Sequence, residues 1–138
     1  MPQPIGLSRE LNCLNRIVEL IQDEPPQEAL LEGVLDLLPE GFKYPEALEV
    51  AISFGGRRLE SPGFRPGPFE LRTLILVRGK VQGEIEVVYL ENRSTQRENP
   101  FHLDQKKLLE VTARKLGRYA EQGPYRMFVE SSQEKRPE

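Results

Sequence analysis

The chain has 138 residues, 38% of them hydrophobic and 30% charged, which is typical of a single globular domain. Its net charge of −3 argues against a nucleic-acid binder, which would be basic, and its apolar runs are shorter than a membrane span requires. A lone Cys13 forms no intrachain disulfide and favours a reducing, cytoplasmic setting.

Two helices are predicted first along the chain. Ser8 is a suitable N-cap for a helix over residues 9–22, "RELNCLNRIVELIQ". Its apolar residues cover an arc of about 180°, whereas a helix lying on a sheet needs only about 100°. Another helix or a second subunit is therefore expected to cover the surplus. A second helix is predicted over residues 26–38, ended by Pro39 and Gly41.

The next segments read as strands. "EVAISF", residues 49–54, alternates apolar and small or polar positions as a strand does. Gly55 and Gly56 permit a tight hairpin into a short strand, "RRLES". The segment 61–68, "SPGFRPGP", is a proline-glycine loop.

The strongest strands are residues 69–77 and 83–91, joined by "RGKVQ" as a hairpin with Gly79 at its bend. A last helix is predicted over residues 103–122. This order predicts an α+β fold, an antiparallel sheet with the N- and C-terminal helices packed on one face. The opposite face is mixed and at most half covered; it carries Ala51, Ser53, Arg72, Leu74, Leu76, Glu84, Glu86 and Val88.

Several segments together resemble a known family. They are "RELNCLNRIVELI", "LLEGVLDLLPEGFKYPE", "GEIEVVYLE" and "NPFHLDQKKLLEVTARKLGRYAE". The pattern resembles the GAF domains that precede output modules in bacterial sensor kinases. The resemblance implies a GAF-like sheet, flanking helices that pair across a dimer, and a role in signal transduction, with a histidine kinase or other signalling module as output partner.

The resemblance also sets an expectation for the mixed face. GAF domains that hold a cyclic nucleotide, bilin or haem insert helices and long loops over this face. Here that cover must fit within residues 61–68, which are too few for a lid helix. A reduced lid and no large closed pocket are expected. No cofactor and no metal site are predicted.

Four polar residues are the candidates for a small-ligand site on the mixed face. Glu84 and Glu86 lie two apart on one strand, with Arg72 on its neighbour, and Arg57 completes the set. Paired carboxylates perform acid-base chemistry only in a cleft that shifts their pKa values. Cross-strand ion pairs are the competing interpretation.

A dimer or partner interface is predicted on the apolar stripes of the first and last helices. Its residues are Leu7, Leu11, Leu14, Val18, Ile21, Leu109, Leu116 and Tyr119. Such stripes would pack across a two-fold axis and bury the arc that the sheet does not reach. A homodimer is the expected assembly, with no nucleic-acid or membrane partner.

Two single residues carry possible chemistry. Cys13 could be a redox thiol, as in GAF-type methionine sulfoxide reductases, but a buried, inert thiol is favoured because no resolving cysteine exists. His102, the only histidine, could cap the last helix or bind haem; a cap or simple exposure is favoured, and one histidine alone makes no zinc site.

The domain limits are predicted from Gly123 and Pro124, which are expected to end the last helix. Residues 1–122 are predicted to form the GAF-like domain and residues 123–138 a C-terminal extension, partly disordered. The extension begins with an apolar cluster of Tyr125, Met127, Phe128 and Val129, which is expected to dock on the body or on a partner. The chain is thus predicted to be a non-catalytic regulatory domain, with a small-molecule sensor as the main alternative and a thiol redox enzyme as a third.

Overall fold

The computed structural model describes residues 8–90 and 103–122. The elements are α1 (Arg9–Gln22), α2 (Gln27–Leu37), β1 (Leu48–Phe54), β2 (Arg57–Glu60), β3 (Phe69–Val77), β4 (Lys80–Tyr89) and α3 (Leu103–Glu121). Two short 3-10 turns join α2 to β1. The predicted α+β class is confirmed for the part of the chain that the structure describes.

The four strands form one antiparallel sheet in the order β2-β1-β4-β3. The register of the two central strands places Val50 opposite Val87 and Ile52 opposite Ile85. Because side chains alternate along a strand, this register collects the apolar residues on one face of the sheet. The two different faces expected from the alternation are therefore present.

The core lies between that apolar face and the helices. α3 packs mainly on β3, and α2 packs on β1 and β2, while α1 packs on α2, α3 and the first 3-10 turn as an outer layer. The innermost residues have almost no exposed surface; they include Leu30, Leu31, Val34, Val50, Ile52, Phe54, Ile75, Ile85, Val87, Leu109 and Leu116. The sheet and three helices thus enclose one continuous core.

The corner between α2 and β1 is held by buried aromatic and glycine contacts. Phe42 is fully buried just after the 3-10 turn Leu38–Gly41. The Tyr44 ring meets the edge of Tyr89 at a centroid distance of 6.0 Å, and the Tyr44 N–H donates a hydrogen bond to Tyr89 Oη at 3.3 Å. These contacts fix the end of α2 against the sheet, as the proline and glycine residues of this segment predict.

The β3–β4 hairpin differs from the prediction. A two-residue turn, Arg78-Gly79, replaces the predicted five-residue connection, so β4 begins at Lys80 and ends at Tyr89. Both turn residues have positive φ, 53° and 80°, which is the conformation that favoured two-residue hairpins require. An arginine in this conformation is uncommon, and for this reason the sequence pattern misplaced the start of the strand.

Of the helices in the described residues, none combines the length and the apolar character needed to cross a membrane.

Candidate functional site

The proline-glycine loop 61–68 covers part of the mixed face. A Cβ atom on Gly63 or Gly67 would lie within 3.0 Å of Glu49 or Val88 respectively, so both glycines allow a close approach. Ser61 fixes the start of the loop: its hydroxyl donates to Glu49 at 2.5 Å and accepts from the Val50 N–H at 2.9 Å. The loop is the short cover that its length predicts.

The rest of the mixed face carries a cluster of paired charges, Arg58, Glu60, Arg72, Glu84 and Glu86, which we call the open-face charge cluster. Glu86 is its centre: its carboxylate lies 3.2 Å from Arg58 Nη2 and 3.4 Å from Arg72 Nε. Arg72 also lies 3.6 Å from Glu84. Three of the four predicted ligand residues are therefore brought together.

Arg57 lies on the other face of the sheet. It pairs with Glu28 of α2 at 2.8 Å, on the side where the helices pack. Its neighbour Arg58 joins the charge cluster instead and donates to Glu60 at 2.9 Å, a hydrogen bond that raises the pKa of the guanidinium. Arg58 is paired with Ser53 of β1, which lies on the mixed face, so alternation along β2 places Arg58 on that face and Arg57 on the other.

The ion pairs of the cluster lie on an open surface, and Arg72 also pairs with Glu70 at 3.3 Å. The side chain of Glu86 is only 14% exposed, but that of Arg72 is 56% exposed. Ala51, between Glu60 and Glu86 in the register, is small enough for Arg58 to reach across β1. A ligand would have to open pairs that contribute about 0–1 kcal/mol each. This arrangement suits cross-strand pairing better than acid-base chemistry.

The predicted helix interface is only partly on the surface. Leu11 is 41% exposed, and Leu14, Val18 and Ile21 are half-buried. Leu7 lies outside the described residues. Leu11 is thus the exposed member of the predicted stripe on α1, whereas Leu14 and Ile21 pack partly against the core.

The part of the predicted interface on α3 belongs to the core. Leu109, Leu116 and Tyr119 are at most 5% exposed, because this side of α3 faces the sheet and the other helices. Tyr119 Oη donates a hydrogen bond of 2.6 Å to the carbonyl of Pro25. These three residues do not form a surface that another chain could contact.

A shallow apolar cleft lies between α1 and α3. It has a volume of about 220 Å³. Its apolar lining consists of Leu11, Leu14, Leu108 and Val111. Its polar lining, which we call the rim, consists of Ser8, Glu10, Asp104 and Lys107. Val111 was not predicted, although its spacing of three residues from Leu108 on the helix is the signal that identifies it.

Cys13 is buried under the α2–β1 corner. Its thiol donates to the carbonyl of Leu37 at 3.3 Å. Burial, with a smaller effect of the Glu40 carboxylate, raises the pKa of the Cys13 thiol to about 11. The geometry matches the inert thiol expected from the sequence. His102 lies outside the described residues.

Within residues 8–90 and 103–122, no group of three or more histidine, cysteine, aspartate and glutamate side chains is placed to hold a metal ion. The sequence matches no protein-family model, and no curated protein shows significant similarity to it.

Proposed function

We propose that the chain is a non-catalytic, GAF-like sensory or regulatory domain of signal transduction that acts through helix-mediated dimerisation or partner contact. The observation that carries the proposal is the apolar cleft between α1 and α3. It places apolar side chains of the first and last described helices side by side on the surface.

The rim of the cleft suits a contact between two copies. A two-fold interface brings the same surface of both subunits together, so the surface must be complementary to itself. The rim has acidic residues, Glu10 and Asp104, and a basic residue, Lys107. Opposite charges can therefore meet across the axis while the leucines of the two copies pack in the centre.

The position of α1 supports transmission of a signal through helix packing. α1 contacts α3 on one side and the first 3-10 turn on the other, and α3 packs on β3. A change in how two copies of α1 pack would therefore reach the sheet through direct contacts. Such a switch requires two arrangements whose relative population a stimulus changes.

Analytical ultracentrifugation tests the interface. Replacing both Leu11 and Leu14 with glutamate places charge at the centre of the contact and should convert dimers to monomers. The matched control replaces Asn12 and Asn15 with glutamate, because both are exposed on the same helix outside the cleft. The control should remain dimeric.

Two outcomes would contradict the proposal. One is a folded wild-type chain that sediments as a monomer and captures no partner through the cleft. The other is a dimer that survives both leucine substitutions while circular dichroism shows that the variant is folded.

A small-molecule sensor remains the second candidate, and the partly exposed Arg72 and Glu84 of the charge cluster favour it. Thermal unfolding in the presence of nucleotides, oxo-acids and aromatic acids tests it. A ligand at about 100 times its dissociation constant adds about 2.7 kcal/mol of stability. The shift should disappear in Arg72→Ala and persist in Arg57→Ala, because Arg57 lies on the other face.

A further inference from the structure

Three exposed apolar side chains form a patch at the end of the β3–β4 hairpin. Leu74, Leu76 and Val81 are 52%, 48% and 58% exposed. Leu76 is paired directly with Val81, and Leu74 lies two residues before Leu76 on the same side of the strand. We call these three residues the hairpin patch. Adjacent exposed apolar residues of this size indicate a contact surface.

The patch lies on an edge strand. β3 is the last strand in the order of the sheet, and no described strand pairs with its outer side. Exposed apolar edges promote unwanted pairing between chains and are normally covered. A cover for the hairpin patch is therefore expected from the protein itself or from a partner.

The end of α3 lies beside the hairpin backbone, on the face of β3 opposite to the one that carries the patch. Gly117 packs directly on the backbone carbonyl of Leu76, with no room for a Cβ atom. One turn later, the Glu121 carboxylate accepts a hydrogen bond of 2.9 Å from the N–H of Arg78 in the hairpin turn. The chain beyond Gln122 therefore starts next to the hairpin.

The sequence that starts there is apolar. In the sequence, Gly123 and Pro124 are followed by Tyr125, Met127, Phe128 and Val129, which lie outside the described residues. An extended chain spans about 3.3–3.6 Å per residue, so the six residues from Gln122 to Phe128 span roughly 20 Å, enough to pass around the edge strand β3 to the patch on its other face. A tether this short gives the segment an effective concentration of about millimolar at the patch, which favours it over a second molecule.

We propose that residues 125–129 fold back and cover the hairpin patch of the same chain. The apolar side chains of the segment and of the patch would leave water together, and the short connection after α3 limits the entropy lost. The inference goes beyond the proposed function, because the hairpin patch is separate from the cleft between α1 and α3.

A single tryptophan reports on this contact. The natural chain has no tryptophan, so Phe128→Trp introduces one indole at the proposed contact. Its emission should be shifted to the blue and independent of protein concentration. Adding Leu74→Asp and Leu76→Asp should shift the emission to the red. The control adds Leu103→Asp, which alters an exposed leucine away from both the patch and the cleft lining, and should leave the emission unchanged.

Limited trypsin digestion gives a second readout on the chain without tryptophan. Arg126 lies inside the proposed contact and Lys135 lies beyond it. Cleavage after Arg126 should be several-fold slower than cleavage after Lys135, and the two rates should become similar in the Leu74→Asp, Leu76→Asp variant. Equal urea midpoints of the variants show that folding is preserved.

Three results would overturn the proposal. The first is a water-exposed indole in the chain with the natural patch, together with equal cleavage at both sites. The second is a blue shift that grows with protein concentration, which would assign the patch to a second copy. The third is a blue shift that survives the two patch substitutions, which would place the segment elsewhere.

Discussion

Thr112 offers a direct test of how α3 is packed. Its side chain is fully buried, and its hydroxyl oxygen has no hydrogen-bond partner among the described residues. An unpaired buried hydroxyl costs about 1–3 kcal/mol of stability. Valine has nearly the same shape and a similar helix propensity. Thr112→Val should therefore raise the free energy of unfolding by about 1–2 kcal/mol.

Urea unfolding measures the change, since a single domain of this size is expected to unfold in one transition. The corresponding rise in midpoint temperature is about 3–7 °C. Thr112→Ser is the matched control, because it keeps the hydroxyl and removes only the methyl group. It should lower stability by about 1 kcal/mol through the lost packing.

The two substitutions separate the hydroxyl from the methyl group. A loss of stability in Thr112→Val would show that the hydroxyl has a partner in solution, such as a bound water, and would refute the reasoning. A similar loss of stability in Thr112→Val and Thr112→Ser would refute the reasoning as well.

The remaining predictions concern close packing and ionisation. Gly117→Ala should destabilise the protein, because the added Cβ would lie within 3.0 Å of the Leu76 carbonyl oxygen. This clash should outweigh the higher helix propensity of alanine. A variant that is more stable in urea unfolding would contradict the observed approach of α3 to β3. Cys13 should react with a disulfide reagent at about pH 8 about 100-fold more slowly than a free thiol, because its pKa is raised from 9.0 to about 11. The Cys13 thiol has a pKa of 9.0 in the unfolded chain and about 11 in the folded one, so it ionises first in the unfolded chain. The free energy of unfolding should therefore fall as pH rises from 9.0 to about 11. In Cys13→Ala this pH dependence should be absent.

Local patterns in the sequence were sufficient to identify the elements. The first helix was predicted over residues 9–22 and is observed there, because Ser8 caps it and the following prolines end it. The strand 69–77 was likewise predicted within its observed bounds. In these segments, propensity, periodicity and end signals agree, so each is defined by its own residues.

The candidate site was predicted less completely. Glu84, Glu86 and Arg72 were expected to share a face, and they do, because alternation along a strand decides the face of each residue. The sequence predicts Arg57 at this site, whereas the structure places Arg58 there, because the face of each residue on the short edge strand β2 depends on its register with β1. The α3 residues expected at an interface proved to be core residues.

The sequence by itself determined the α+β class, the two unlike faces of the sheet and the wide apolar arc of the first helix. Only the tertiary structure decided which large apolar residues of the described segments were left exposed. They are Leu11 in the cleft lining, Leu103 at the start of α3, and Leu74, Leu76 and Val81 at the hairpin. The physical reason is that the apolar pattern along a helix or strand assigns each residue to one face of that element. Whether that face is exposed depends on which other elements of the chain pack against it.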